Sequence, residues 1–89
     1  MAVRRRVIAH GRVQGVGFRA SVAVAARSRG LAGWVRNRPD GTVEAAFEGE
    51  RDPVESIVRF CVEGPRAASV TRLETFVEEV EGLRGFEIR

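Results

Sequence analysis

The residues best placed for chemistry lie in Gln14-Gly15-Val16-Gly17-Phe18-Arg19. An alternating run ends there on two glycines, and a helical pattern opens at Phe18. No Ser, Thr, Asp or Asn stands before Phe18 as a clear cap, so the first N–H groups of that helix want an acceptor from elsewhere. Successive loop amides and the positive end of a helix together form a nest for an anion. Arg19 in the first turn is unfavourable against the helix dipole by roughly a few tenths of a kcal/mol unless an anion sits between them. In the competing reading, water satisfies the amides and Arg19 is solvated.

Two other phosphate patterns fit less well. Gly15-Val16-Gly17-Phe18-Arg19-Ala20 matches the dinucleotide pattern G-x-G-x-x-G/A, after a strand and before a helix. A doubly wound dinucleotide domain needs several parallel strands, whereas the next strand here turns straight back as a hairpin. A Walker loop ends in Gly-Lys-Ser/Thr, and this chain has no lysine. All fifteen basic residues are arginine; nine lie in residues 1–39, which hold no acid, while all twelve acids follow Pro39. Arginine's fork suits phosphate and carboxylate bidentately, so the first half is a candidate anion-facing surface. Genomic bias toward arginine explains the composition equally well, and charge alone does not separate a nucleic-acid backbone from a small phosphate.

The remaining polar candidates are fewer. Asn37 precedes a turn, where Asn commonly caps a hairpin. Trp34 could stack a base or cover a sheet face. His10 is the only histidine and reads as a surface strand residue. Cys61 is the only cysteine; it lies in an apolar stripe and reads as inert packing. With one of each, neither an internal disulfide nor a thiolate–imidazole zinc cluster can form, and no metal ligands or cofactor are expected. Glu78-Glu79 and Glu81 read as a solvated edge or loop.

The elements that must position these residues follow from periodicity. Residues 4–13 alternate, with Val7, Ala9, Gly11 and Val13 on one face and Arg6, Ile8, His10 and Arg12 on the other, predicting a half-buried strand. Phe18, Val22, Ala25 and Ala26 predict a helix to about Arg29, ended by Gly30. Strands over 31–37 and 42–48 flank Arg38-Pro39-Asp40-Gly41, a tight turn, and so form a hairpin. Asp52 as cap, Pro53 at the first helical position and Glu55 closing a capping box predict a second helix. Its stripe is Val54, Ile57, Val58, Cys61 and Val62, and Gly64-Pro65 ends it. A strand over 70–80 follows, and 86–88 adds a short edge strand. The order β-α-β-β-α-β predicts an α+β, ferredoxin-like sandwich: an antiparallel sheet with both helices on one face.

Length and composition bound the rest. Eighty-nine residues, 44% hydrophobic and 30% charged, are expected to fold as one domain over 1–89. Folding a chain of this mass buries roughly 64% of the unfolded surface. No charge-free stretch approaches the ~20 apolar residues of a membrane span, and no signal-peptide apolar run follows the basic start. An intracellular, cytoplasmic protein is expected, acting without membrane or nucleic acid and as a monomer.

Gly11-Arg12-Val13-Gln14-Gly15-Val16-Gly17-Phe18-Arg19 resembles the first signature of the acylphosphatase family. Gly33-Trp34-Val35-Arg36-Asn37, followed by Gly41, Val43 and Gly49, resembles the second, with every spacing kept. The likeness runs through Gly64-Pro65 to Phe86-Glu87-Ile88 and so covers nearly the whole chain. One departure is Ala20, where bacterial relatives often carry an aromatic. The resemblance implies hydrolysis of a small acyl phosphate to a carboxylate and inorganic phosphate. By that likeness, Arg19 and the amides from Gln14 through Gly15, Val16, Gly17 and Phe18 hold the phosphoryl group, and Asn37 orients the attacking water. Inorganic phosphate or sulfate is then expected to compete for the same loop.

Two other function classes compete with an enzyme. An RNA-recognition sheet needs exposed aromatics on its central strands; here Trp34 and Phe47 are the candidates, and Phe47 reads as buried. Acylphosphatase-like domains also occur at the front of larger carbamoyl-transferring proteins; a chain ending at Arg89 is expected to be a free-standing enzyme.

Overall fold

Arg4 and Arg6 enter the fold as buried or half-buried charges, and their partners explain the sheet. The computed structural model describes residues 1–89. In chain order the elements are β1 (Ala2–Arg12), α1 (Phe18–Ser28), β2 (Ala32–Asn37), β3 (Val43–Glu50), α2 (Arg51–Glu63), β4 (Ser69–Glu78) and β5 (Phe86–Ile88). One sheet has the order β4-β1-β3-β2-β5. Its first four strands are antiparallel neighbours, whereas β5 pairs with β2 in parallel, Gly33 to Phe86 and Val35 to Ile88. The expected antiparallel sheet is therefore completed by a parallel edge strand. The expected ferredoxin-like β-α-β-β-α-β order holds.

One face of the sheet carries the core. Val7, Ala9, Val35, Val43, Ala45 and Phe47 meet Phe18, Val22 and Ala26 of α1 and Val54, Ile57 and Cys61 of α2. Phe47 stacks on Phe86 at 5.7 Å between ring centroids, which ties the short β5 to the core. Cys61 is fully buried, and burial pushes its thiol up to about 12, so it stays protonated and inert. Val62, assigned by its spacing to the apolar stripe, is instead 53% exposed. The fully buried stripe narrows to Val54, Ile57 and Cys61, with Val58 half-buried against the core.

The second helix also begins earlier than its capping pattern predicts. Glu50 is the N-cap residue, with no side-chain cap bond, and Asp52 lies inside the first turn. Pro53 then occupies the third helical position, where its missing N–H still has no intrahelical acceptor to lose, and Asp52 still meets the favourable end of the helix dipole.

On the sheet's other face, charges are paired across strands. Arg4 Nη1 donates to Glu48 Oε2 at 2.8 Å and Arg4 Nε to Glu78 Oε1 at 3.0 Å. Arg6 donates to Glu78 and Glu44, at 2.7 and 3.0 Å, and lies over the Phe76 ring. Arg36 donates to the second oxygen of Glu44 at 2.7 Å. The arginine-rich first half thus meets carboxylates of the second half, and four of its nine arginines, Arg38 beside Asp40 included, are paired within the fold. Glu78, expected to be solvated, sits at the centre of this network. The same face would have to stack bases in an RNA-recognition sheet; it carries these ion pairs, with Arg89 covering Trp34, while Phe47 lies on the opposite, fully buried side.

Candidate active site

Where β1 hands over to α1, the chain makes a loop whose amides have no protein acceptor. Gly15 and Gly17 adopt φ of 74° and 78°, left-handed values that strain residues with a Cβ. A Cβ at either position would meet no atom, so the backbone conformation, not crowding, requires glycine there. Gly17 is the N-cap of α1 and gives no side-chain cap; the first turn holds no acid. The amides of Gly15 to Ala20 donate to no protein atom, and the first loop-to-helix bond runs from Ser21 N to Gly17 O at 3.0 Å. These free donors, at the positive end of a helix, are what a bound anion needs.

A cavity of about 200 Å³ opens over that loop, lined by Val13, Gly15, Gly17, Phe18, Arg19, Ala20, Asn37 and Ile88. At ~30 Å³ per water it holds roughly seven waters' volume, enough for a phosphoryl group and one attacking water. Arg19 is the only charged residue among the lining. Its Nη1 donates to the main-chain oxygen of Arg89 at 3.1 Å, which fixes the guanidinium on the β5 side of the opening.

Asn37 reaches the same cavity from the last position of β2, opposite Val43 of β3. Its Oδ1 is buried without any hydrogen-bond partner. A buried amide oxygen left unsatisfied costs about 1–3 kcal/mol. The turn after Asn37 is held from within: Gly41 N donates to Arg38 O at 3.1 Å, and Asp40 Oδ1 accepts from Thr42 N and Oγ1 at 3.0 and 2.6 Å. The two Thr42 bonds hold the Asp40 carboxyl below its ordinary range.

The structure therefore gathers Gly15, Gly17, Phe18, Arg19 and Asn37 around one cavity. Gln14 and Val16 do not line it. The Gln14 amide is directed across to the turn instead, Nε2 donating to Arg38 O at 2.8 Å and to Thr42 O at 2.9 Å. It links the anion loop to the strand end that carries Asn37. Ile88 and the Arg89 oxygen are site neighbours that sequence reasoning missed; nothing local in 86–89 signals the parallel pairing that brings them there. No three His, Cys, Asp or Glu side chains gather where they could hold a metal ion, and His10 is engaged on the far strands with Glu74 at 2.6 Å.

Comparison with known proteins agrees with this geometry. The acylphosphatase family model matches residues 5–88. An acylphosphatase of Nostoc sp. (strain PCC 7120) is 58% identical over 87 residues, which span 98% of this chain and 86% of that protein. The crystal structure of acylphosphatase from Bacillus subtilis superposes with a TM-score of 0.94 at 41% identity, covering 100% of this chain and 99% of that one. Full-length HypF in its phosphate- and nucleotide-bound form also matches, with a TM-score of 0.89 and 27% identity, but over only 12% of its own chain. An uncapped glycine loop, an arginine at the helix start and an asparagine at the hairpin end thus occur within full-length likeness to these proteins, and the chain belongs to the acylphosphatase family.

Proposed function

We propose that the amides of Gly15 to Ala20 and the Arg19 guanidinium hold the phosphoryl group of a small acyl phosphate while Asn37 positions the water that attacks it. The observation that carries this reading is the convergence of unpaired amides, Arg19 and Asn37 on one cavity. Water is hydrogen-bonded by the Asn37 side-chain amide and attacks phosphorus in line with the leaving oxygen. The bond between phosphorus and the acyl oxygen breaks, its electron pair departs on a carboxylate, and the water's oxygen and both its protons end on inorganic phosphate as H2PO4⁻, which passes a proton to solvent at neutral pH. A carboxylate leaves as the base of an acid with pKa near 4, so it needs no protonation. Donors fixed around the equatorial oxygens suffice, because phosphoryl transfer is mostly positioning and charge stabilisation. The cavity's lining, with no carboxylate or histidine, suits that leaving group and would not suit an alkoxide.

The same donors fit inorganic phosphate and sulfate, which we expect as competitive ligands. We further infer that residues 1–89 work as one domain and as a monomer in the cytoplasm, where a free thiol such as Cys61 persists. The deciding experiment is hydrolysis of an aryl acyl phosphate in chelator-containing buffer, with phosphate titrated as inhibitor. Turnover is expected to survive exhaustive chelation and to fall as phosphate fills the loop. Loss of activity with EDTA, restored by magnesium or zinc, would overturn the proposed mechanism.

A further inference from the structure

We propose that the acyl group of the substrate lies in an apolar groove between α1 and α2, which makes apolar acyl groups of aryl size the preferred substrates; this rests on the acyl phosphate reading above. The groove, of about 430 Å³, is lined by Ala20, Ser21, Val24, Ala25 and Phe60. Ala20 lines both this groove and the anion cavity, so the two adjoin at that residue. Its small side chain leaves the passage open, where an aromatic would fill it.

Helix geometry sets the reach. Ala20 and Val24 are one turn apart on the same face, about 6 Å along the axis at 1.5 Å per residue. A phosphoryl group held by the amides at the start of α1 therefore places a carbonyl near Ala20, and a benzoyl-sized ring extends from there onto Val24 and Phe60. Val24 is 66% exposed, which leaves apolar surface for a ligand to cover. The guanidinium over Phe60 does not convert the groove to a polar site. Arg29 lies over the Phe60 ring and is committed to Ser56 Oγ at 3.0 Å and Ala25 O at 2.9 Å. No carboxylate lines the groove to receive an ammonium group, so aminoacyl phosphates gain nothing from it.

The test compares kcat/KM for benzoyl phosphate and acetyl phosphate in the wild-type chain and in Val24→Gln, with Ile88→Gln on the opposite wall of the cavity. Each substrate is compared with itself across variants, which cancels its intrinsic reactivity. Losing roughly 50 Å² of apolar contact, at ~25 cal/mol per Å², corresponds to about an eightfold loss for benzoyl phosphate. Acetyl phosphate does not reach Val24, and its kcat/KM and the inhibition constant of inorganic phosphate are expected to stay within about twofold. Val24→Leu should keep or raise the preference for the aryl substrate. Equal losses for both substrates in Val24→Gln, or no loss for either, would overturn the groove assignment while leaving the reaction intact. A loss of aryl preference in Ile88→Gln alone would move the acyl group to the β5 side and overturn it likewise. A wild-type chain that binds phosphate and turns over neither substrate would overturn the reaction, and the groove with it.

Discussion

Replacing Asn37 by alanine should separate stability from activity, because the fold takes no hydrogen bond from the side chain assigned to position the water. Asn37 Oδ1 is buried and unpaired. Its unmet hydrogen bond costs about 1–3 kcal/mol in the unliganded protein, and truncation removes that penalty while giving up only a small side chain's packing. The Arg38–Thr42 turn keeps its own bonds and the two from Gln14. Asn37→Ala is therefore expected to melt at the wild-type temperature or a few degrees higher, since about 1 kcal/mol moves Tm by ~4–8 °C in a domain of this size. Turnover should fall about 10²-fold, the scale of a lost positioning contact, which is about 2.7 kcal/mol of transition-state stabilisation. Inhibition by inorganic phosphate should barely change, because Asn37 is assigned to water and not to the phosphoryl oxygens. Steady-state kinetics, phosphate titration and thermal melts on one preparation supply all three readings. A variant that melts more than about 5 °C lower and keeps near-normal kcat would show that Asn37 merely supports its turn, and the water-positioning role would have to be abandoned.

Arg19→Ala should weaken phosphate inhibition and lower kcat together, and Arg19→Lys should restore only part of each, because a point charge does not reproduce the guanidinium fork; full rescue by lysine in a kinetic assay would contradict this. Gln14→Ala should cost about 0.5–1.5 kcal/mol in a denaturation experiment, because the Arg38 and Thr42 carbonyls keep Gly41 N and Arg38 N as donors, and should lower kcat more than phosphate affinity, since the bond runs to the strand end beside Asn37. Stability should also depend on acid. Arg6 and Arg4 hold the Glu78 carboxyl below its ordinary value of 4.5. For Glu48, burial disfavours the charge, but the amides of Glu81, Leu83 and Gly82 and the Arg4 side chain outweigh it and lower the value from 4.5. Both groups therefore stabilise the fold fully above pH ~5 and lose that contribution as pH falls through their lowered values. Melting temperature measured from pH 7 down to ~3 should stay level and then drop, and Glu48→Gln should melt lower at pH 7 with a shallower acid drop; an unchanged acid profile in that variant would exclude Glu48 as a contributor.

The anion loop and both signatures were readable from the sequence because their chemistry is local. Glycine at 15 and 17 and the missing cap before Phe18 are properties of adjacent residues, and the hairpin turn at Arg38-Pro39-Asp40-Gly41 is written in four. The order of strands and helices followed from periodicity for the same reason. What periodicity could not decide was anything set by distant partners. The start of α2 fell before Asp52 because capping preferences of about 1 kcal/mol are small beside the tertiary packing that supplies most helical stability. Val62 shares its helical spacing with buried residues, yet how wide a stripe is covered depends on the neighbouring surface. The arginines of β1 looked available for an anion until antiparallel pairing set Arg4 opposite Glu48 and Glu78, 44 and 74 residues away. The parallel seat of β5 on β2 brought Ile88 to the cavity and Arg89 to Arg19, and the bridge from Gln14 to the Asn37 turn spans 24 residues. The residue types suited to the chemistry were encoded locally; their meeting at one cavity was decided by the tertiary structure, because only long-range strand pairing brings the β1–α1 loop, the end of β2 and the end of β5 to the same end of the sheet.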